Sequence, residues 1–193
     1  MPDNGPRLAR RPVRADGRRN YDAILEVARE TFAAEGTGAS VEEVARRAGV
    51  AIGTLYGHFP TREALVEASL RDGLTALLEA GAHAADTLPP LPALVDWLHR
   101  AVEYCGTYRG AVTLLTRSVD DEQSYWHAGC AAMEQCAETL LRTAQAAGRV
   151  RADVEPRDVV DVISAAAWVR ENSGPRTGPS RLLDLFLTGV TTA

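Results

Sequence analysis

Apolar residues recur at helical spacing along most of the chain, and the pattern is most sharply punctuated between residues 40 and 62. Val41, Val44, Ala45 and Ala48 stand at i, i+3, i+4 and i+7, one helical face, with Glu42, Glu43, Arg46 and Arg47 off it. Ser40 and Glu43 form an S-x-x-E capping box ahead of that face, satisfying backbone N–H groups that a helix start leaves unpaired. Gly49 stands where a helix ends in a left-handed residue, a conformation costly to any residue with a Cβ, and Val50 is placed to pack back on the core. A second short helix is predicted over roughly Ile52 to Phe59, ended by Pro60, which disfavours helical geometry in the residue before it. Leu55 and Phe59 share its buried face; the opposite arc holds Gly53, Thr54 and Gly57, with Tyr56 and His58 at its edges. Two glycines on a solvent-facing helix cost about 1 kcal/mol each relative to alanine. Either another surface approaches closely there, such as a DNA backbone or groove floor, or the helix is simply a weak one.

The same spacing places the rest of the chain. Tyr21, Ile24, Leu25, Ala28 and Phe32 predict a first helix from about Asn20 to Glu35, stopped by Gly36. Thr61 can cap a fourth helix, in which Leu65, Val66, Leu70, Leu74, Leu77 and Leu78 run on well past the first three. The Pro-rich run from Asp86 to Pro92 should end that helix and open a second, all-helical domain. There, Leu94, Trp97, Leu98, Ala101, Tyr104 and Cys105 mark one helix, Ala111, Leu114 and Leu115 a short one, and Asp121 to Ala147 a long one closed by Gly148. A helix restarting at Asp153 to Pro156 is apolar nearly all round through Val159, Val160, Val162, Ile163, Ala166, Ala167 and Val169. After a loop from Asn172 to Pro179, Leu182, Leu183, Leu185, Phe186, Leu187 and Val190 do the same. Helices of that kind are buried on more than one side, which in so short a chain calls for a partner subunit. The expected fold is all-α: a basic arm over 1–19, a three-helix domain with a helix-turn-helix over 20–66, and an antiparallel helical domain over 67–193.

Charge divides along the same line. The net charge of −5 conceals ten arginines against eight acids in residues 1–62, and eleven against eighteen in the remainder, so the basic end is the one with the helix-turn-helix. Six of those arginines lie in residues 1–19, interleaved with Pro2, Pro6, Pro12, Gly5 and Gly17, a composition for an arm that tracks phosphates or enters a minor groove, or for a solubilising tail. No apolar run approaches the roughly 20 residues a bilayer requires, and the N-terminus lacks the apolar segment of a signal peptide, so a cytoplasmic location and no membrane partner are expected. Cys105, Cys130 and Cys136 are odd in number and lack C-x-x-C spacing, which argues for buried, reduced thiols rather than a disulfide framework or zinc knuckle. His83, His99 and His127 supply candidate ligands or bases, yet no H-E-x-x-H, G-x-S-x-G or phosphate-cradling glycine loop accompanies them. Catalytic residues, a metal site and a cofactor are therefore not expected.

The run Gly-Val-Ala-Ile-Gly-Thr-Leu-Tyr-Gly-His-Phe-Pro-Thr-Arg-Glu-Ala-Leu (49 to 65), with Phe32, Gly36 and the Val44-Ala45 pair upstream, resembles the DNA-binding domain of the TetR family of transcriptional regulators. The resemblance covers roughly residues 20 to 67. It implies that Thr54, Tyr56, His58 and Arg62 meet the DNA backbone or groove, and Ser40 a phosphate near its helix start, with Ile52, Gly53, Gly57 and Thr61 completing the docking face. Two positions depart from frequent family patterns: Ala51 replaces a common Ser and leaves only backbone for any contact, and Arg62 replaces a common Lys. The resemblance further implies a homodimeric repressor of a palindromic double-stranded DNA operator, released when an unknown small-molecule effector enters the helical domain. Candidate pocket residues are Trp97, Tyr104, Tyr108, Trp126, Met133 and Trp168, each equally consistent with an ordinary core position. The competing reading is a helical small-molecule-binding protein whose DNA-binding head is degenerate, since Gly53 and Gly57 leave few side chains for base readout and Glu42 brings negative charge near phosphates.

Overall fold

The computed structural model describes residues 15–110, 125–172 and 179–192. Among them eight helices follow one another: α1 (Ala15–Glu35), α2 (Val41–Arg47), α3 (Ile52–His58), α4 (Arg62–Thr87), α5 (Pro90–Cys105), α6 (Tyr125–Ala146), α7 (Pro156–Asn172) and α8 (Pro179–Val190). The only extended pairing among the described residues is an isolated bridge between Val150 and Thr191, so the expected all-α fold stands. The chain divides into two compact units, one of residues 1–72 with 108–128 and one of 73–107 with 129–193. The sequence-based boundary at 66/67 falls six residues short of this division. Helix α4 contributes to the first unit up to Asp72 and to the second from Gly73 onward.

In the first unit, α1, α2 and α3 pack on one another around Ile24, Ala28, Phe32, Val44, Leu55 and Phe59, all fully buried. Tyr21 stacks on Phe59 with ring centroids 4.8 Å apart, tying the start of α1 to the end of α3. Helix α1 begins at Ala15 rather than Asn20, so the last residues assigned to the arm, Arg18 and Arg19 among them, are helical; residues 1–14 lie outside the described residues. Gly36 at φ +87° and Gly49 at φ +70° end α1 and α2. After α2, Gly49 N–H bonds Arg46 O at 3.2 Å and Val50 N–H bonds Ala45 O at 3.0 Å, the paired closure that satisfies carbonyls a helix end would orphan.

In the second unit, α7 and α8 pack together and both meet α5. The Pro-rich run ends α4 at Thr87 as expected: only Leu88 and Pro89 separate α4 from α5, and Pro90 opens α5, where its missing N–H would have had no partner anyway. Helix α6 closes at Gly148 (φ +66°) by the same paired bonds as α2, Gly148 N–H to Gln145 O and Arg149 N–H to Ala144 O, both 2.9 Å. Its start is at Tyr125; the expected helical residues from Asp121, and the short segment at Ala111, Leu114 and Leu115, lie outside the described residues. Pro156 opens α7 as expected, and Asp158 carboxylate accepts the Glu155 N–H at 2.9 Å to cap it. Arg151 N–H to Val190 O and Thr192 N–H to Arg149 O stitch the end of α8 to the α6–α7 loop.

Candidate nucleic-acid interface

Helix α3 has two faces that differ sharply. Leu55 and the following Phe59 have no accessible surface, while Ile52 is 40% and Tyr56 43% exposed, with Gly53 and Gly57 open to solvent between them. Thr54 and His58 are half-buried at the border. A Cβ added at Gly53 or Gly57 would meet nothing within 4 Å, and neither residue has positive φ. The chain's own packing therefore makes no demand for glycine at either position. Ala51 stands at the N-cap without a side-chain bond, and the first turn closes on its carbonyl through Thr54 N–H (2.9 Å) and Leu55 N–H (3.2 Å). His58 lies edge-on to Tyr21 at 6.1 Å, so its ring also takes part in the α1–α3 contact.

The flanking polar candidates are more occupied than the sequence shows. Ser40 caps α2 by accepting the Glu43 N–H at 3.1 Å, but the return half of the capping box is missing: Glu43 turns instead to Arg46, and Ser40 Oγ donates to Glu42 at 2.9 Å. The backbone N–H at Glu42 and the Ser40 hydroxyl, with Arg62 nearby, hold the Glu42 carboxyl below its ordinary range, so it is an anion where a phosphate is expected. Thr61 caps α4 by accepting the Ala64 N–H at 3.1 Å. Arg62 is half-buried and donates from Nη1 to Thr37 O at 3.1 Å and to Ala39 O, so it holds the α1–α2 loop in place ahead of Ser40.

That loop has a second anchor that sequence reasoning missed. Thr37 donates to Arg109 O from both its N–H (2.8 Å) and its hydroxyl (3.2 Å), and Tyr108 is buried against Phe32 with its hydroxyl 3.4 Å from Ser69 O. A Cβ on Gly36 would lie 2.8 Å from Arg109 O, and one on Gly110 2.7 Å from Thr37 Oγ1. The two glycines were the available signal, but nothing in their spacing joins positions more than seventy residues apart. Tyr108, named as a pocket candidate, thus belongs to the core of the first unit.

The other pocket candidates are dispersed. Trp97 is fully buried on α5, Tyr104 is half-buried with its ring against Gly73, Met133 is half-buried on α6, and Trp168 is 53% exposed on α7. The side chain of Trp126 lies outside the described residues. A groove of about 360 Å³ opens between α4 and α6, bordered by Gly81 and Cys136. Burial pushes the Cys105 thiol up to about 12 and raises those of Cys130 and Cys136, which favours the protonated thiol at all three. Among the described residues no group of His, Cys, Asp and Glu is arranged to hold a metal ion, and no helix is long and apolar enough to cross a membrane.

Residues 24–69 match the family model described as bacterial regulatory proteins, tetR family, and residues 89–192 match that described as transcriptional regulator SbtR-like, C-terminal domain. Among solved structures, the chain is similar to a TetR transcriptional regulator from Streptomyces coelicolor, with 34% identity and a TM-score of 0.64 over 89% of this chain and 99% of that one. It is also similar to a TetR transcription regulatory protein from Mycobacterium vanbaalenii (32%, TM-score 0.60, 94% and 100%). A ketosteroid transcriptional regulator of Mycobacterium tuberculosis aligns at 25% identity and a TM-score of 0.64 over 95% and 100%. None of the curated proteins matches the chain.

Proposed function

The chain belongs to the TetR family of bacterial transcriptional regulators, and on that premise we propose that it is a homodimeric repressor that reads a palindromic operator with α3 and leaves it when a small molecule binds the helical second unit. DNA binding, a dimeric state and an effector belong to that family membership. The docking face is our own assignment: Ile52, Gly53, Thr54, Tyr56, Gly57 and His58 present the surface, Thr61 and Arg62 set the α3–α4 corner and the loop before it, and Ser40 stands at the α2 start. The observation that carries it is the pair of glycines on α3, exposed, ordinary in backbone conformation and unneeded by the chain's own packing. A surface that must come close explains why the helix gives up about 1 kcal/mol at each.

With Gly53, Thr54 and Gly57 at its centre, that surface has almost no long donors for base edges. Recognition then rests on shape, on the apolar reach of Ile52 and the Thr54 methyl towards thymine methyls, and on phosphate contacts from Tyr56. We assign residues 1–19 to a basic arm, 20–66 with the following turn of α4 to the head, braced by Tyr108 and Arg109, and the rest of the helical region to effector binding and dimerisation. Trp168 and Leu185, 53% and 60% exposed on α7 and α8, are the surface a second subunit would cover. No catalytic activity is assigned, and the cytoplasm, where the operator is, is the proposed location.

Selection from a random duplex library, followed by fluorescence anisotropy at several salt concentrations, tests this reading. The recovered sites should be near-palindromes, log K should fall steeply with log salt, and Tyr56→Ala should weaken binding to all duplexes alike. Recovery of no preferred site, with binding flat in salt, would sink the repressor in favour of a helical ligand-binding protein with a silent head.

A further inference from the structure

We propose that the indole N–H of Trp97 is the donor of an effector site in the α4–α6 groove, and that the site takes a neutral, compact, mostly apolar molecule carrying one acceptor oxygen, a carbonyl or its equivalent. The proposal rests on the effector reading above and adds to it a place, a donor and a chemical class. Trp97 has no accessible surface, and its Nε1 finds no hydrogen-bond partner among the described residues. Buried donors almost always find a partner, and an unmade bond there costs stability. The ring is turned so that its Cδ1–Nε1 edge faces Gly81: a Cβ at that position would lie 2.8 Å from Cδ1, 3.0 Å from Nε1 and 2.5 Å from Cys136 Sγ.

Gly81 and Cys136 both border the groove, so the unspent N–H stands directly behind its floor. Any side chain at 81 would cover it; glycine in mid-helix, otherwise unfavourable, leaves the way open. Cys136 is half-buried, and a protonated thiol is a poor acceptor that one rotamer change moves aside. The rest of the lining includes Leu78, Ala132 and Leu140, and no charged side chain, so a charged ligand would be desolvated without compensation. The Thr139 hydroxyl already donates to Gln135 O at 2.9 Å and the Gln135 amide is exposed to water, which leaves the indole as the buried donor with its bond unmade. A volume of about 360 Å³ suits a molecule of one or two rings.

The three tryptophans give three indole cross-peaks in a ¹⁵N–¹H spectrum of the labelled full-length dimer, and Trp97→Phe identifies one of them. Acetophenone and 2-acetylnaphthalene are titrated beside their isopropenyl counterparts, in which a methylene replaces the oxygen at nearly the same shape. Each ketone should move the Trp97 peak downfield and bind about tenfold more tightly than its hydrocarbon, the worth of one buried hydrogen bond. Trp97→Phe, with amide dispersion retained, should bring the two compounds of a pair to near equality, and Cys136→Ala should strengthen binding of both. Equal affinity within each pair for the native protein, a silent Trp97 peak, or no binding by either ketone up to its solubility overturns the site. Operator release by some other compound without a Trp97 response would do the same while leaving the repressor intact; loss of operator binding by the unliganded protein would strike the repressor reading alone.

Discussion

Replacing Gly53 and Gly57 together with alanine should move stability and DNA affinity in opposite directions. Each added methyl meets no heavy atom within 4 Å and no positive φ, so the fold resists neither. The intrinsic gain is up to about 1 kcal/mol per site in a helix interior, and roughly half that near the ends of a seven-residue helix, for a total near 1 kcal/mol. In a protein of this size that raises Tm by about 2–4 °C. At the DNA, the same two methyls stand at the point of closest approach. Forcing a well-packed contact to accept them costs about 1–3 kcal/mol, or roughly 5- to 150-fold in affinity. Calorimetry reads the first effect and anisotropy on the selected operator the second, at one salt concentration for both proteins. A double variant that melts higher yet binds the operator as tightly as the native chain would refute the close approach. One that melts lower would show instead that the glycines serve the fold.

Other perturbations probe the rest of the head and the proposed interface. Gly36→Ala should cost about 2 kcal/mol or more in urea unfolding, because φ +87° alone costs a side chain about 1–2 kcal/mol and the new Cβ lands 2.8 Å from Arg109 O; an unchanged midpoint would mean that the loop and Arg109 are not joined. Glu42→Gln removes an anion held beside Ser40 at the start of α2, so it should raise affinity for every duplex and steepen the slope of log K against log salt by at most about one; unchanged binding would move the phosphates away from α2. Leu185→Asp puts a charge on a side chain already 60% exposed in the single chain, so the fold should survive, shown by an unchanged far-ultraviolet spectrum, while sedimentation shows monomer; a persistent dimer would remove α8 from the interface.

What was legible in the sequence was local. Ser40, Gly49 and Pro60 punctuate α2 and α3 through rules that act within a few residues, and the structure places all three as those rules require. The Pro-rich run ends α4 at Thr87 as expected, but Pro90 at once opens α5, and the division between the units lies back within α4 at 72/73, where no local signal marks it. Tyr108 shows the other kind of loss. Its aromatic character was visible, but its partner Phe32 is set by how the chain returns after α5, which no periodicity records. Arg62 was legible as a cation and not as a brace, because its acceptors, the carbonyls of Thr37 and Ala39, have no signature in side-chain identity. The Trp97 N–H was beyond reach for the same reason, since an unmade hydrogen bond is a property of packing alone.

The division of labour at the DNA end follows from where its charges are spent. Residues 1–19 hold six arginines against two acids, whereas residues 20–62 hold four against six. Those four are also engaged: Arg29 with Asp72, Arg46 with Glu43, Arg47 with Glu30 and Thr31, and Arg62 with two carbonyls. The first three are ion pairs weak enough to exchange for phosphate, but each exchange leaves a carboxylate beside the DNA and gains little, and releasing Arg62 would take a donor from two loop carbonyls. The three-helix unit therefore carries two more acids than arginines, and on the proposed reading its contribution is fit: a helix stripped to glycine, threonine and a few ring edges. On the proposed reading the long-range attraction comes from the arginines at the N-terminus, two of which, Arg18 and Arg19, lie in the first turns of α1. On that reading affinity comes from one segment and discrimination from another, so mutations at Ile52 and Thr54, unlike the phosphate-contacting Tyr56, should change which duplex is chosen more than how steeply salt weakens the choice.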